Sequence, residues 1–374
     1  MIAILGATGY TGALVVASFA REMKHAPYLL AARSPGRLDD VRARAGTPDD
    51  VPAVVADVRD RASLRALIAR CSVVVNCVGP FAEHGLDVVA ACVELGRHYI
   101  DITGEPGFLS RAVERFDEPA RRKSLRIVLS AGFESVPTDC AVLCCEERLD
   151  LRSARTLHGA VHVSGPGSLS SGSLRGLSDG TRATLVSSFA RFSRRRIGRT
   201  GPTPLFVRRG ASRRWLLRTP TIDAHVVRRT QELLGRAGLS YAHFVEFDSL
   251  PRVARFVVAV GGLMLSSRLP WLRRRWAATG RPGRGPSDTA RRASAFDLVV
   301  RGHDAGGRRA TAHMRGPEPY ETTAACVTEI ARLVAFEPAA LPPPAGVCTP
   351  GGLGARTILD RVARHGITLS VTND

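Results

Sequence analysis

Lysine is almost missing from this 374-residue chain: Lys24 and Lys123 are the only two among 53 basic side chains, set against 34 acids. Arginine therefore carries the formal net charge of +19. An excess built almost wholly from arginine reads as compositional bias as much as selection for a phosphate backbone, and no nucleic-acid partner is expected. No two cysteines stand in CxxC spacing; Cys71, Cys77, Cys92, Cys140, Cys144, Cys145, Cys326 and Cys348 are scattered, several of them on apolar stretches. That scatter argues against a metal site and, with no secretory leader ahead of Met1, predicts reduced thiols in a cytoplasmic protein. Apolar runs of the roughly 20 residues that span a bilayer are also absent, the run Phe256 to Leu265 being far shorter. With 44% hydrophobic residues, the chain is long enough for two domains, each with its own core.

Acid is missing from two stretches. From Arg191 to Ile222 the chain carries Arg194, Arg195, Arg196, Arg208, Arg209, Arg213 and Arg214 without one Asp or Glu, and Gly201, Pro202, Pro204 and Gly210 mark a loop or mobile lid. The second, Ser249 to Ser287, holds the apolar run followed by Trp271, Arg273, Arg274, Arg275 and Trp276. A buried helix with a basic exposed end accounts for it. An interfacial element with tryptophans and arginines among anionic headgroups accounts for it too, so peripheral membrane contact through 249–287 stays open.

What is present begins at residue 2. Ile2-Ala3-Ile4-Leu5 runs into Gly6-Ala7-Thr8-Gly9-Tyr10-Thr11-Gly12 and then into an apolar helical stretch from Ala13 to Ala20. Strand, glycine turn and helix in that order let a backbone approach a pyrophosphate lying on the helix N-terminus. Gly6, Thr8, Gly9, Tyr10, Thr11 and Gly12 are therefore read as dinucleotide-binding, in GxxGxxG spacing. A second apolar strand, Tyr28 to Ala32, ends at Arg33, where an NAD-binding chain places an acid on the ribose 2′-hydroxyl. A guanidinium there pairs with a 2′-phosphate in fork geometry, so Arg33, with Ser34 and Arg37 beside it, predicts NADP(H).

The same unit repeats. Val51 to Ala56 reads as a third strand closed by Asp57, which faces the adenine; Ala62 to Arg70 as a helix; Val73 to Val78 as a fourth strand broken at Gly79-Pro80-Phe81. Leu86 to Leu95 is helical, His98 to Asp101 a fifth strand, Phe108 to Lys123 a helix, Arg126 to Ser130 a sixth strand and Pro137 to Arg148 a helix. Strands alternating with helices make a doubly wound parallel sheet with ligands at the strands' carboxyl ends. The loops 76–81, 101–106 and 131–139 should converge there, adding Asn76, Val78, Gly79 and Pro80 to the cofactor set. Beyond Asp150 the period changes: 156–163, 295–301 and 309–314 alternate like strands of an antiparallel sheet. Helices return at 320–334 and 353–365 after the connecting Pro342-Pro343-Pro344. The division expected is 1–149 for the cofactor, 150–317 for an inserted substrate or dimerisation domain and 318–374 returning to the first.

Taken together, Gly6 to Gly12, Ala32-Arg33-Ser34, Val78-Gly79-Pro80-Phe81, Asp101-Ile102-Thr103-Gly104-Glu105 and Ala131 to Asp139 resemble the saccharopine dehydrogenase-like oxidoreductases, and among them the actinobacterial trans-acting enoyl reductases. The resemblance continues more weakly through Ser170 to Ser173, Gly285-Pro286-Ser287 and Gly346 to Pro350. It implies an α/β fold, a Rossmann-type doubly wound parallel sheet with an inserted α+β domain on a largely antiparallel sheet. It also implies reduction of a double bond in a lipid or polyketide-derived intermediate made by a partner polyketide synthase. Family members usually read Gly-Phe-Asp-Ser-Ile-Pro where this chain has Gly132-Phe133-Glu134-Ser135-Val136-Pro137.

Reduction by NADPH needs a group that stabilises or protonates the developing anion. None of Tyr10, Tyr28, Tyr99, Tyr241 and Tyr320 has a lysine four residues on, which excludes the tyrosine–lysine mechanism of short-chain dehydrogenases. The catalytic candidates are Glu134, Ser135 and Asp139, with Asn76, Asp101, Thr103 and Glu105 on neighbouring loops and His158, His162 and Ser173 on the insert. Three readings stay open: an enoyl-type reductase, a saccharopine-type imine or amino-acid oxidoreductase, and a non-catalytic NADP(H)-binding regulator. Homodimerisation is left open as well.

Overall fold

The computed structural model describes residues 1–190, 207–210, 212–219, 221–269, 271, 283–343 and 346–373. Its first half alternates strand and helix: β1 (Ile2–Leu5), α1 (Tyr10–Glu22), β2 (Tyr28–Ala32), α2 (Pro35–Ala45), β3 (Ala53–Val55), α3 (Arg61–Ala69), β4 (Val73–Asn76), α4 (Phe81–Glu94), β5 (His98–Asp101), α5 (Pro106–Arg122), β6 (Arg126–Val128) and α6 (Val136–Glu146). Strands β1, β2 and β4 are buried along their whole length, as continuous apolar runs covered on both faces must be. The edge strand β3 leaves Val55 exposed.

The second half contains β7 (Arg155–Val163), α7 (Asp179–Ala190), β8 (Val207–Arg209), β9 (Trp215–Arg218), α8 (Asp223–Leu233), β10 (Leu239–Phe247), α9 (Leu250–Arg268), α10 (Asp288–Arg292), β11 (Ala295–Asp304) and β12 (Arg309–Pro317). The tail adds α11 (Pro319–Phe336), β13 (Gly346–Cys348), α12 (Pro350–Val362) and β14 (Thr368–Asn373). One sheet runs β13-β6-β5-β4-β1-β2-β3 and is parallel throughout. The other runs β14-β12-β11-β7-β10-β9-β8 and is antiparallel except where β7 lies beside β10. Helix α6 is buried at every position and packs on the second sheet, its Cys145 Sγ lying 3.3 Å from the Ala310 carbonyl. A helix buried on every side belongs between two layers, and its Asp139 and Glu146 are accordingly paired.

Several sequence expectations change. Arg208 and Arg209, expected in a loop or lid, lie on β8, and β9 follows from Trp215; residues 191–206 of that stretch, with Gly201, Pro202 and Pro204, lie outside the described residues. The ten-residue apolar run is the centre of a 19-residue helix, α9, which is long and apolar enough to cross a membrane. The tail contributes strands as well as helices: β13 extends the parallel sheet beside β6, and β14 joins the second sheet. Pro344 lies outside the described residues.

Candidate functional site

The glycines of the first loop are there because side chains do not fit. Gly6 has φ +85, and a Cβ on Gly12 would lie 2.1 Å from the Gly6 carbonyl oxygen. Gly9 caps α1 with no side-chain bond, so the first N–H groups of the helix face outward, as an anion at a helix N-terminus requires. Arg33 is exposed at the end of β2, and among the described residues its guanidinium has no hydrogen-bond or ion-pair partner. Ser34 stands at the N-cap of α2 without bonding its backbone, leaving the hydroxyl for a ligand. The residues present thus fit an NADP(H) adenosine end. Arg37 Nη2 donates to the Thr8 carbonyl at 3.1 Å. Asp57, expected at the adenine, directs its carboxylate to Arg59 (2.8 Å), which holds it down to about 2.

A strap from residues 285–291 lies on this loop. Tyr10 Oη donates to the Pro286 carbonyl at 2.7 Å and accepts from Arg291 Nη1 at 3.0 Å. A Cβ on Gly285 would fall 2.5 Å from the Tyr10 ring, so the approach depends on glycine. Tyr320 meets Tyr10 edge to face, ring centres 5.0 Å apart, and its hydroxyl accepts from the Ser178 N–H at 2.7 Å. Thr184 of α7 closes on Gly79, where a Cβ would lie 2.8 Å from its Oγ1.

Between these elements runs a cleft lined by Phe133, Glu134, Val163, Leu169, Leu177, Pro286, Arg291 and Tyr320, among others. Glu134 opens onto it, beside Gly104. Loss of hydration, then the Asp223 charge, pushes the Glu134 carboxyl up to about 7. Behind it, Tyr241 Oη lies 3.0 Å from His243 Nδ1, which is 3.8 Å from Asp223 Oδ1.

Three comparisons bear on this geometry. A profile described as saccharopine dehydrogenase NADP binding domain matches residues 2–147. A protein of Mycobacterium ulcerans (strain Agy99) named trans-acting enoyl reductase is 30% identical over 99% of this chain and 97% of its own. The chain belongs to the saccharopine dehydrogenase-like oxidoreductases. The human protein of that name is 29% identical over 99% of this chain and 96% of its own. A solved yeast enzyme, apo histidine-tagged saccharopine dehydrogenase (L-Glu forming) from Saccharomyces cerevisiae, superposes with TM-score 0.59 at 11% identity over 100% and 99% of the two chains, which shows the shared fold. This saccharopine dehydrogenase-like oxidoreductase binds NADP(H).

Within it, several residues singled out by type prove to brace the framework. Asn76 Oδ1 accepts from the Val78 N–H and its Nδ2 donates to Tyr99 Oη, each at 3.0 Å. Asp101 Oδ1 accepts from the Ser130 and Thr103 N–H groups and Oδ2 from Tyr99 Oη, while Glu105 accepts from Phe81 N–H at 2.6 Å and Ala82 N–H at 3.0 Å. Thr103 Oγ1 accepts from the Glu105 N–H. Asp139 points away from the cleft: Oδ2 accepts from Thr230 Oγ1 and from the Gly351 N–H at 2.7 Å, at the start of α12. Ser135 Oγ is buried without a partner. His158 packs its ring on Phe244, and His162 Nε2 lies 3.2 Å from Asp248 Oδ1, both on the sheet face opposite Gly159 and Tyr241. Ser173 does line the cleft.

Sequence reasoning missed Asp223, Thr184, Arg291 and Tyr320. Tyr320 stood in view as the first residue of a helix; nothing in its neighbours announced the ring of Tyr10. Among the described residues no group of three potential metal ligands occurs, and all eight cysteines are free thiols.

Proposed function

We propose that this oxidoreductase reduces the activated carbon–carbon double bond of an acyl substrate, lipid or polyketide-derived and supplied by a partner synthase, with Glu134 as the proton donor. The observation that carries this reading is the cleft itself: a mostly apolar lining of Val163, Leu169, Leu177 and Pro286 with two carboxyls pushed up to about 7, of which Glu318 is tied to the Tyr320 and Glu321 N–H groups and Glu134 is the exposed one. NADPH, when bound, supplies a hydride. Glu134 gives its proton to the α-carbon of the resulting enolate, and the product is the saturated acyl group. The mycobacterial relative's name agrees with this class. An amino-acid substrate needs free cations beside the reacting centre, and Arg291 in the lining is already held by Asp288, Glu321 and Tyr10. The cofactor contacts proposed are Gly6, Thr8, Gly9, Tyr10, Thr11, Gly12, Arg33 and Ser34, with Val78, Gly79 and Pro80 toward the nicotinamide.

The test is NADPH oxidation with an α,β-unsaturated acyl thioester. Glu134→Gln should lower kcat by about 10² or more while NADPH affinity stays within twofold, and wild-type activity should fall as pH rises through about 7. Turnover of an amino-acid imine with none of the thioester would overturn the reading.

Peripheral membrane contact through 249–287 is the second part of the proposal. Support comes from α9, whose outer stripe leaves Val258 74%, Leu265 66% and nearby Trp271 61% exposed, far more apolar surface than a buried helix presents. Cosedimentation with anionic vesicles, lost in Val258→Asp/Leu265→Asp, is the expected result; no cosedimentation of the wild type removes this part.

A further inference from the structure

Glu318 lines the same cleft as Glu134 but is held quite differently. It is buried, and it caps α11: its Oε2 accepts from the Tyr320 N–H at 2.8 Å and from the Glu321 N–H at 3.2 Å. Those two donors claim Oε2, so a proton on this carboxyl sits on Oε1. Among the described residues Oε1 has no partner, and it is not one of the atoms sealed from solvent, so its opening is onto the cleft that Glu318 lines. Loss of hydration pushes the carboxyl up to about 7. The charged and titratable groups around it are Arg291 of α10, Tyr10 of α1, and Tyr320 and Glu321 of its own helix, with Glu134 elsewhere in the cleft. Arg291 favours the anion, but its guanidinium is shared with Asp288 at 3.0 Å and Glu321 at 3.4 Å.

The loop of Glu134 and the helix of Glu318 are locked together. The Phe133 N–H donates to Thr323 Oγ1 at 3.0 Å, and a Cβ on Gly132 would lie 3.0 Å from the Thr323 side chain. Thr323 gives its hydroxyl proton to the Pro319 carbonyl, and Ser294 gives its own to Ala290, so these two hydroxyls of the lining are spent on backbone. The carboxyls divide the remaining work. Glu134 is exposed, and water can reload it after each turnover. Glu318 is buried and pinned, as suits a donor that steadies developing charge without surrendering its proton.

We propose that Glu318, in its neutral form, donates a hydrogen bond from Oε1 to the carbonyl oxygen of the acyl substrate and stabilises the enolate that forms there. The proposal rests on the enoyl reading. The electron pair comes as hydride from NADPH, which becomes NADP⁺, and moves the double-bond electrons onto the carbonyl oxygen, where the Glu318 Oε1–H meets them. The enolate returns them as its α-carbon takes the Glu134 proton; Glu318 keeps its own, and water restores that of Glu134.

The carbonyl stretch of a bound substrate tests this without turnover. Crotonyl N-acetylcysteamine thioester, labelled with ¹³C at the carbonyl, is bound to the NADP⁺-loaded protein and followed by difference infrared spectroscopy. The band should move to higher frequency as pH rises through about 7, when Oε1 loses its proton. Glu318→Gln keeps both the cap and a donor; its band should stay low on both sides of that pH, with kcat within about tenfold of wild type. Glu318→Met removes the donor, and its band should stay high throughout while kcat falls about 10²-fold or more and NADPH affinity stays within about twofold. A residue that only caps its helix would leave the wild-type band unmoved by pH. That result overturns the donor, as does a Gln variant whose band still follows pH or a Met variant of undiminished kcat; if the Met variant fails to fold, the first two measurements still decide. If the band behaves as expected and the thioester is not reduced, the carbonyl contact stands and the enoyl reading falls. Reduction with a band indifferent to pH keeps the reading and removes the donor.

Discussion

Tyr10 and Arg291 stand 281 positions apart in sequence and 3.0 Å apart in space, hydroxyl to guanidinium. Tyr10 belongs to the glycine loop of the parallel sheet's first crossover, Arg291 to α10, and Arg291 also lies over the Tyr10 ring. The pair joins the two halves of the chain at the edge of the cofactor site.

Removing the hydroxyl tests that joint. Tyr10→Phe keeps the ring against Gly285 and Tyr320 but leaves the Arg291 guanidinium and the Pro286 carbonyl without their partner. The expected cost is about 1 kcal/mol in urea unfolding, since each such bond nets roughly 0.5–1.5 kcal/mol and water reaches the site in part.

Arg33 decides between cofactors. Arg33→Ala should weaken NADPH binding about 10- to 100-fold, the value of a charge-assisted pair, and leave NADH binding within twofold. Fluorescence titration with each dinucleotide gives both numbers. An equal loss for both would move Arg33 off the 2′-phosphate.

Burial pushes Asp101 up to about 7 and Asp139 up to about 6, from an ordinary 3.8. Both carboxyls hold in the folded chain a proton that the unfolded chain has already released. Their contribution to stability is thus complete below the ordinary value and is lost as pH rises through about 6 to 7. The urea midpoint should be lower at pH 8 than at pH 5, and Asp101→Asn should shrink the difference. Asp57 has the opposite sign, and its contribution disappears only as pH falls toward 2, outside this range.

Arg155 and Glu146 form an ion pair of 2.9 Å with both side chains fully buried. Arg155→Met leaves Glu146 with Gln231 and Arg236 but without its main countercharge. A loss of about 3–5 kcal/mol is expected by chemical denaturation, because the remaining carboxylate stays in the interior.

The parallel sheet was legible because each strand is an apolar run followed by a helix with its own period, and because Gly6 to Gly12 and Arg33 announce a phosphate site locally. Elements without such a period were not. Strand β13 has three residues, too few to show alternation, and β8 and β9 lie in an arginine-rich stretch that resembles a solvated loop. Asp139 was read as a catalytic candidate from its loop; the backbone it bonds is 212 positions away, and nothing local encodes that. Glu134 was legible as a carboxyl on the right loop, but the loss of hydration that raises it, and the Asp223 charge of α8 that adds to it, come from parts of the chain distant in sequence.

Strand β13 pairs with β6 at the edge of the parallel sheet, yet it is made of Gly346 to Cys348. A chain synthesised through β6 has therefore produced a parallel layer with its last rung missing and the β6 edge unpaired. The sheet gains that rung only once residues 346–348 have been made, so a chain truncated before residue 346 leaves the β6 edge unpaired.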